Sequence, residues 1–382
     1  MDRPVRKRVV VSAVNIRKGG TLTVLKECLE YLSGRKDLEV IALVHKQSLC
    51  AYPGIRYIEM PWTLKSWFHR LWCEYVTMHK VSKDLGNIDL WLSLHDTSPR
   101  VEAKAQAVYC HNPYPFFEWK FRHLFQNRKI VAFSLFSRWI YRVGLKREKW
   151  VIVQQEWLRD KFLKMFPFLS PSNVVVALPK SLHPEIPDLR VPGEGKKRFI
   201  YAAYGDIHKN FECLCSAAEL LENEGFGGRF CVDMTIGPED NPYCKWLYKR
   251  WGHVSSLNFA SFMPREELYR HYGEADCLVF PSQVETWGLP VSEFGVSGKP
   301  MLLSDRPYAH ETSRGCSRTA FFNPDDPKAL AHMMRRIIEG DVTFLKPNPV
   351  QPIKEPKAES WADLFKILLS SGGKDDNPKD IS

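Results

Sequence analysis

No stretch of this chain approaches the roughly 18 consecutive apolar residues that a membrane-spanning helix needs. No Cys-x-x-Cys pair occurs: the ten cysteines are scattered, and only Cys213 and Cys215 lie close together. That spacing argues against a zinc site or a disulfide framework, and fits reduced, mostly buried thiols in a cytosolic setting. Gly-x-Gly-x-x-Gly is missing after both residues 9–14 and residues 199–204, which weighs against a dinucleotide-dependent enzyme. No repeat of fixed short period is found. Acids are in deficit, 44 against 54 Lys and Arg, for a net charge of +10. The excess implies an anionic partner and leaves nucleic acid, lipid head groups and anionic substrates open. At the start, Arg3, Arg6, Lys7 and Arg8 precede an apolar run that ends at Asn15, too short for a signal-peptide core. The expected location is therefore cytoplasmic, with attachment to the inner face of the cell membrane still open.

What the chain does have is the composition of a globular protein, 44% apolar and 26% charged over 382 residues, enough for two domains. Apolar strand patterns at 9–14, 38–44, 89–94, 107–110, 129–133 and 150–153 alternate with helical ones, among them Leu22, Leu25, Leu29 and Leu32. Alternation of this kind predicts a doubly wound parallel sheet. Pro184, Pro187, Pro192, Gly193 and Gly195 then interrupt residues 182–197, which read as a linker. The pattern restarts: strands at 199–204, 230–236, 257–262, 277–280 and 301–304, helices at 211–222, 266–272 and 329–339. This is a second Rossmann-like domain. The last amphipathic stretch spans 361–369, and the polar tail from Gly372 reads as disordered.

Within the second half, the strand at 277–280 runs into a Pro281-Ser282 turn, Glu285, and a helix carrying Glu293, eight positions on. That separation is slightly more than two turns at about 3.6 residues each. An acid in the turn sits where a helix leaves backbone N–H groups unpaired and anions bind. Two acids beside an anion site suit a ligand with both phosphate and hydroxyl groups, such as a nucleotide sugar.

Residues 201–326 resemble the donor half of the retaining GT-B glycosyltransferases of family 4. Four elements match in order: Gly205-Asp206-Ile207-His208-Lys209-Asn210 as the loop after the first donor-domain strand; Glu285 to Glu293 as the E-x7-E motif; Ser304-Asp305 with Glu311; and Asn323-Pro324-Asp325-Asp326. In the first half, Gly19-Gly20 stands at the glycine loop, and His111-Asn112-Pro113 where many members carry a His. Two departures stand out. The Arg that many members have ahead of the Lys is absent here, and Trp287 stands where a smaller residue is usual.

The resemblance implies a GT-B fold of two Rossmann-like domains facing a central cleft. The N-terminal, acceptor-binding domain would span 1–190 and the donor-binding domain 191–350. A C-terminal helix, 351–371, would cross back to the first domain, and 372–382 would form the tail. It implies that Lys209, His111 and Glu285 carry catalysis. Lys209 would stabilise charge on the departing diphosphate, His111 would contact the donor sugar, and Glu285 would bind its hydroxyls. Glu293 would bind the ribose, with Gly205, Asn210, Thr286, Trp287, Gly288, Leu289 and Gly20 also at the donor and Arg17, Lys18, Gly19 and Asn112 at the acceptor. Neither metal nor cofactor is implied: no Asp-x-Asp stands at a suitable strand end, and Asp325-Asp326 belongs to a turn. Attack would be front-face, the departing phosphate taking the acceptor's proton. Each of these residues also has an ordinary reading: Lys209 solvated, Gly19-Gly20 a plain turn, Arg17 and Lys18 solvated, His111 structural, and Glu285 an acid on the helix dipole.

Two stretches mix cations with aromatics. Residues 117–150 hold nine Lys and Arg against Glu118 and Glu148, with Phe117, Trp119, Phe121, Phe125, Trp139, Tyr141 and Trp150. Residues 62–83 hold Trp62, Trp67, Phe68, Trp72 and Tyr75 beside Lys65, Arg70, Lys80 and Lys83. Basic aromatic helices suit an anionic membrane surface; equally, the rings can pack inward while the cations stay wet. The function these readings converge on is transfer of a hexosyl or deoxyhexosyl group from a nucleotide-diphosphate sugar to a glycan or lipid-linked acceptor, in bacterial O-antigen or capsule synthesis. The alternative is a non-catalytic basic protein that binds membrane or nucleic acid; no nucleic-acid motif is present.

Overall fold

Short, mostly apolar runs build two parallel sheets in this computed structural model, which describes residues 6–121, 128–179, 185–189 and 195–370. Strands β1 (Lys7–Ala13), β2 (Leu38–Val44), β3 (Ile55–Glu59), β4 (Leu90–Ser93), β5 (Ala105–Tyr109), β6 (Trp150–Val153) and β7 (Val174–Ala177) alternate with helices. These are α1 (Gly19–Ser33), α2 (Trp67–Trp72), a π-turn over Cys73–Thr77 leading into α3 (Met78–Leu85), α4 (Arg128–Leu145) and α5 (Glu156–Met165). The second half has β8 (Lys197–Tyr201), α6 (Phe211–Leu221), β9 (Phe230–Met234), α7 (Pro242–Trp251), β10 (Leu257–Phe259), α8 (Arg265–Glu274) and β11 (Cys277–Phe280). It continues with α9 (Leu289–Gly295), β12 (Met301–Ser304), α10 (Pro307–Thr312), β13 (Thr319–Phe322) and α11 (Pro327–Ile338). A two-residue strand, β14 (Lys357–Ala358), and α12 (Trp361–Leu368) close the described chain.

The chain divides into two compact units: Met1–Asn112 with Arg138–Lys180 and Ile353–Ser382, and Pro113–Ser137 with Ser181–Pro352. In the first, the strand order is β14-β7-β6-β5-β4-β1-β2-β3, so the order reverses between β1 and β4. In the second it is β10-β9-β8-β11-β12-β13, reversing between β8 and β11. All the strand pairs are parallel. In such sheets ligands bind beyond the carboxyl ends of the strands at the reversal. Central strands are apolar on both faces because helices cover both; Val9, Val10 and Val11 are fully buried. Helix α1 presents Val24, Leu25, Cys28, Leu29 and Leu32 to the core. Helix α12 is capped by Ser360 and buries Leu364, Phe365 and Leu368, with Phe365 stacked on Tyr31 at 5.6 Å. All ten cysteines are unpaired.

Two parallel Rossmann-like sheets are what the strand and helix alternation predicts. Residues 129–133, expected as a strand, are instead part of α4. A short apolar run cannot be told from a buried helix segment by periodicity alone, and here the helix continues well beyond it. Strands β3, β7 and β13 and helix α7 are not among the expected elements. Of the expected linker only 185–189 and 195–197 lie among the described residues, β8 already starting at Lys197; the tail from Gly372 lies outside them.

Candidate active site

At the second sheet's reversal, two loops are stitched together. After β8 the chain makes a tight turn, Ile207–Lys209, and Asn210 adopts a left-handed conformation (φ 55°) to open α6. After β11 it runs through Pro281 to Gly288. The Gln283 amide donates to the His208 carbonyl at 2.7 Å, and Asn210 Nδ2 donates to the carbonyls of Pro281 at 3.1 Å and Pro324 at 2.7 Å. Lys209 Nζ then reaches Glu285 Oε1 at 2.6 Å. Lys209 is largely buried and Glu285 buried, so the Lys is not simply solvated. Asn210, expected at the donor, spends its amide bracing the loops.

Gly288 follows at φ 89°, where a side chain is strained. It lets the chain turn into α9. Leu289 is that helix's first residue, and Thr286 and Trp287 are half-buried ahead of it. The Trp287 indole N–H donates to Ser292 Oγ at 3.1 Å. Glu293, one turn into α9, is buried; its Oε1 accepts from Arg265 at 3.1 Å and from the Tyr269 hydroxyl at 3.3 Å. Burial raises the Glu293 pKa, and the Arg265 guanidinium partly offsets that. Gly205 is a packing requirement: a Cβ there would lie 2.0 Å from Cys244 Sγ, while its carbonyl accepts from Asn241 Nδ2 at 2.8 Å. Around the pair, Asp325 is bound by Lys120 and by Gln283 Nε2, and Arg306 donates to Gln283 Oε1 at 2.8 Å. His208 is buried, with Tyr114 edge-on at 5.1 Å.

The first unit has its own strand-end group. Asp96, left-handed at φ 67°, accepts the backbone N–H groups of both His111 and Asn112 on Oδ1, so the loop after β4 holds the loop after β5. The His111 ring stacks on Tyr109 at 4.3 Å, and its buried Nε2 has no hydrogen bond among the described residues. Burial pushes its pKa down to about 3, so the imidazole is neutral. Next to it, His95 Nε2 lies 2.9 Å from Ser12 Oγ, and Glu74, buried, pairs with Arg70 at 2.9 Å. At the end of β1, Gly19 (φ 72°) opens α1, with Gly20, Arg17 and Lys18 exposed.

Residues 185–351 match the model of the family Glycosyl transferases group 1. The chain carries a group 1 glycosyl transferase domain. No curated protein matches the sequence. Among solved structures, HepE of Anabaena in complex with UDP and glucose is similar with a TM-score of 0.62 at 13% identity, over 89% of this chain and 92% of that one. The lipopolysaccharide outer core galactosyltransferase WaaB, in apo form, gives 0.61 at 11% over 88% and 91%. WaaG, a glycosyltransferase involved in lipopolysaccharide biosynthesis, gives 0.60 at 14% over 88% and 92%. At such identities the likeness is one of fold, and the fold is GT-B.

The Lys209–Glu285 pair and Glu293 all lie inside the group 1 domain. So do Arg265 and Tyr269, which nothing in the sequence pointed to: they are 28 and 24 positions from Glu293, and no local pattern encodes that meeting. Asp96 lies outside the domain; its signal was the polar run His95-Asp96-Thr97 directly after an apolar strand.

Proposed function

We propose that the protein is a retaining glycosyltransferase that moves a hexosyl or deoxyhexosyl group from a nucleotide-diphosphate sugar to a glycan or lipid-linked acceptor, in bacterial surface polysaccharide synthesis. The observation that carries this reading is the Lys209–Glu285 pair at the β8/β11 reversal, within the matched domain. HepE, in complex with UDP and glucose, the lipopolysaccharide outer core galactosyltransferase WaaB and the lipopolysaccharide-biosynthesis enzyme WaaG support the donor class and the pathway. Ten unpaired cysteines support a reducing, cytoplasmic setting.

In this mechanism the bond from the anomeric carbon to the diphosphate oxygen breaks, and the oxygen keeps the electron pair. Lys209, held beside a carboxylate in a largely buried position, shares its charge with that oxygen; low polarity strengthens the attraction. Glu285 accepts from hydroxyls of the sugar, and Glu293 from the ribose, its ionised form favoured by Arg265. The acceptor hydroxyl attacks the same face, and its proton passes to the departing phosphate. His111, neutral, contacts the sugar, with its loop set by Asp96; Arg17, Lys18, Gly19, Gly20 and Asn112 serve substrate binding. The protein uses no metal and no cofactor.

The test is nucleotide release from a panel of UDP-, GDP- and dTDP-sugars with glycan or lipid-linked acceptors, and the anomeric configuration of the product by NMR. Release from one donor with retention is expected. No release from any donor, or an inverted product, contradicts the reading.

A further inference from the structure

The structure sorts the two basic aromatic stretches in a way their sequence does not. Phe117, Tyr141 and Trp150 are buried. Trp67, Phe68 and Trp72 are 63%, 68% and 51% exposed, Trp139 is 72% exposed, and Leu71 and Val143 join them at the surface. Positions 67, 68, 71 and 72 share one face of α2, and 139 and 143 one face of α4. Single exposed apolar side chains need no explanation, but three large rings within one six-residue helix do.

We propose that this face docks on the surface of an anionic lipid bilayer. The inference stands apart from the catalytic reading, and none of its exposed apolar or basic residues serves that reading. On its inner side the α2 region is pinned by the buried Arg70–Glu74 pair; Arg70 also donates to the His95 carbonyl at 2.9 Å, and Glu74 accepts from Thr97 Oγ1 at 2.8 Å. Helix α4 comes onto the same loop at Gly144, where a Cβ would lie 2.8 Å from the Ser98 Cβ. Both helices therefore pack on the 95–98 loop within one unit, with their apolar sides exposed.

Charge selects the occupant. In residues 62–83 and 135–147 the one acid is Glu74, and it is buried; Lys65, Lys80, Arg142 and Lys146 are exposed. A surface of rings and aliphatic side chains with basic flanks matches an acyl boundary under anionic head groups. A second copy would set cations against cations. Nucleic acid would use the rings for stacking, but Leu71 and Val143 offer bases nothing, whereas in acyl chains they are buried like the rings. No described helix is long and apolar enough to cross a membrane, so the attachment is to one surface.

The experiment is flotation of the full chain with vesicles of equal parts phosphatidylcholine and phosphatidylglycerol, against phosphatidylcholine alone, at low and high salt. Wild type is expected to float with the mixed vesicles, less so at high salt, and Trp67→Glu/Trp72→Glu to lose binding by about tenfold or more. In case that variant folds poorly, quenching of the wild-type tryptophans by brominated phosphatidylglycerol vesicles provides an independent reading; strong quenching is expected. No flotation, no quenching, or unchanged flotation of the folded variant overturns the proposal. So does a dimer, or an oligonucleotide complex, that the same substitutions abolish while vesicles are ignored.

Discussion

Lys209 Nζ donates to Glu285 Oε1 across 2.6 Å, and that contact adds an ion pair to the hydrogen bonds that join the loop after β8 to the loop after β11. These are the two strands between which the sheet order reverses. A cation and a carboxylate thus meet where a doubly wound sheet opens to ligands. Because both side chains are mostly buried, removing either leaves an uncompensated charge. Lys209→Met or Glu285→Gln alone should cost stability on the order of 3 kcal/mol, and the double variant less than the sum of the two. Denaturant unfolding of all four proteins measures it. Additive losses would mean the pair does not act as one unit.

Glu293 links pH to donor binding. Its pKa is raised by burial and held back by Arg265. A carboxylate that accepts from ribose hydroxyls must be ionised, so donor affinity should fall as pH drops through that raised value. Arg265→Met removes the offset and should move the loss to higher pH, while Glu293→Gln should weaken donor binding and flatten the profile. Calorimetric titration with a nucleoside diphosphate across pH checks both; an identical profile in wild type and Arg265→Met would remove Glu293 from the binding account.

Gly205 makes a separate claim about packing. An alanine Cβ would overlap Cys244 Sγ at 2.0 Å. Gly205→Ala should lower stability by about 1–3 kcal/mol, and Cys244→Ala in the same chain should restore part of it by removing the sulfur. No recovery would place the glycine's role elsewhere.

Much of this was legible because the signals are local. The E-x7-E spacing, the glycine before Lys209 and the strand–helix alternation all sit within short windows of sequence, and each predicted element near them forms within a few residues of its expected ends. What escaped is non-local or locally ambiguous. The Lys209–Glu285 contact spans 76 positions, and roles assigned one residue at a time did not foresee the two in contact. Asn210 reads as a ligand group in a loop, yet its amide goes to two carbonyls brought close only by folding. Residues 129–133 have the composition of a strand, and the longer helix around them wins.

Glu148 offers a second pH test, on stability. It is half-buried in the first unit with its carboxyl oxygens enclosed, and that enclosure pushes its pKa up to about 8. The folded state therefore binds this proton more tightly than the unfolded chain does, at its ordinary value near 4.5. The contribution is full below that ordinary value and is lost as pH rises through about 8. His111, with its pKa near 3, works the other way and costs stability only as pH falls below the usual histidine range. The melting temperature of wild type should decline toward alkaline pH, and that of Glu148→Gln should not. Parallel declines in the two proteins would assign the effect to other groups.

Thermal unfolding with added nucleotide tests whether the Lys209–Glu285 site binds a nucleotide-diphosphate donor. A ligand at about 100 times its dissociation constant stabilises the folded state by about 2.7 kcal/mol. UDP, GDP or dTDP, or one of their sugars, is expected to raise the melting temperature of wild type, with a much smaller rise in Lys209→Met. No rise with any of them, or an equal rise in both proteins, would contradict it.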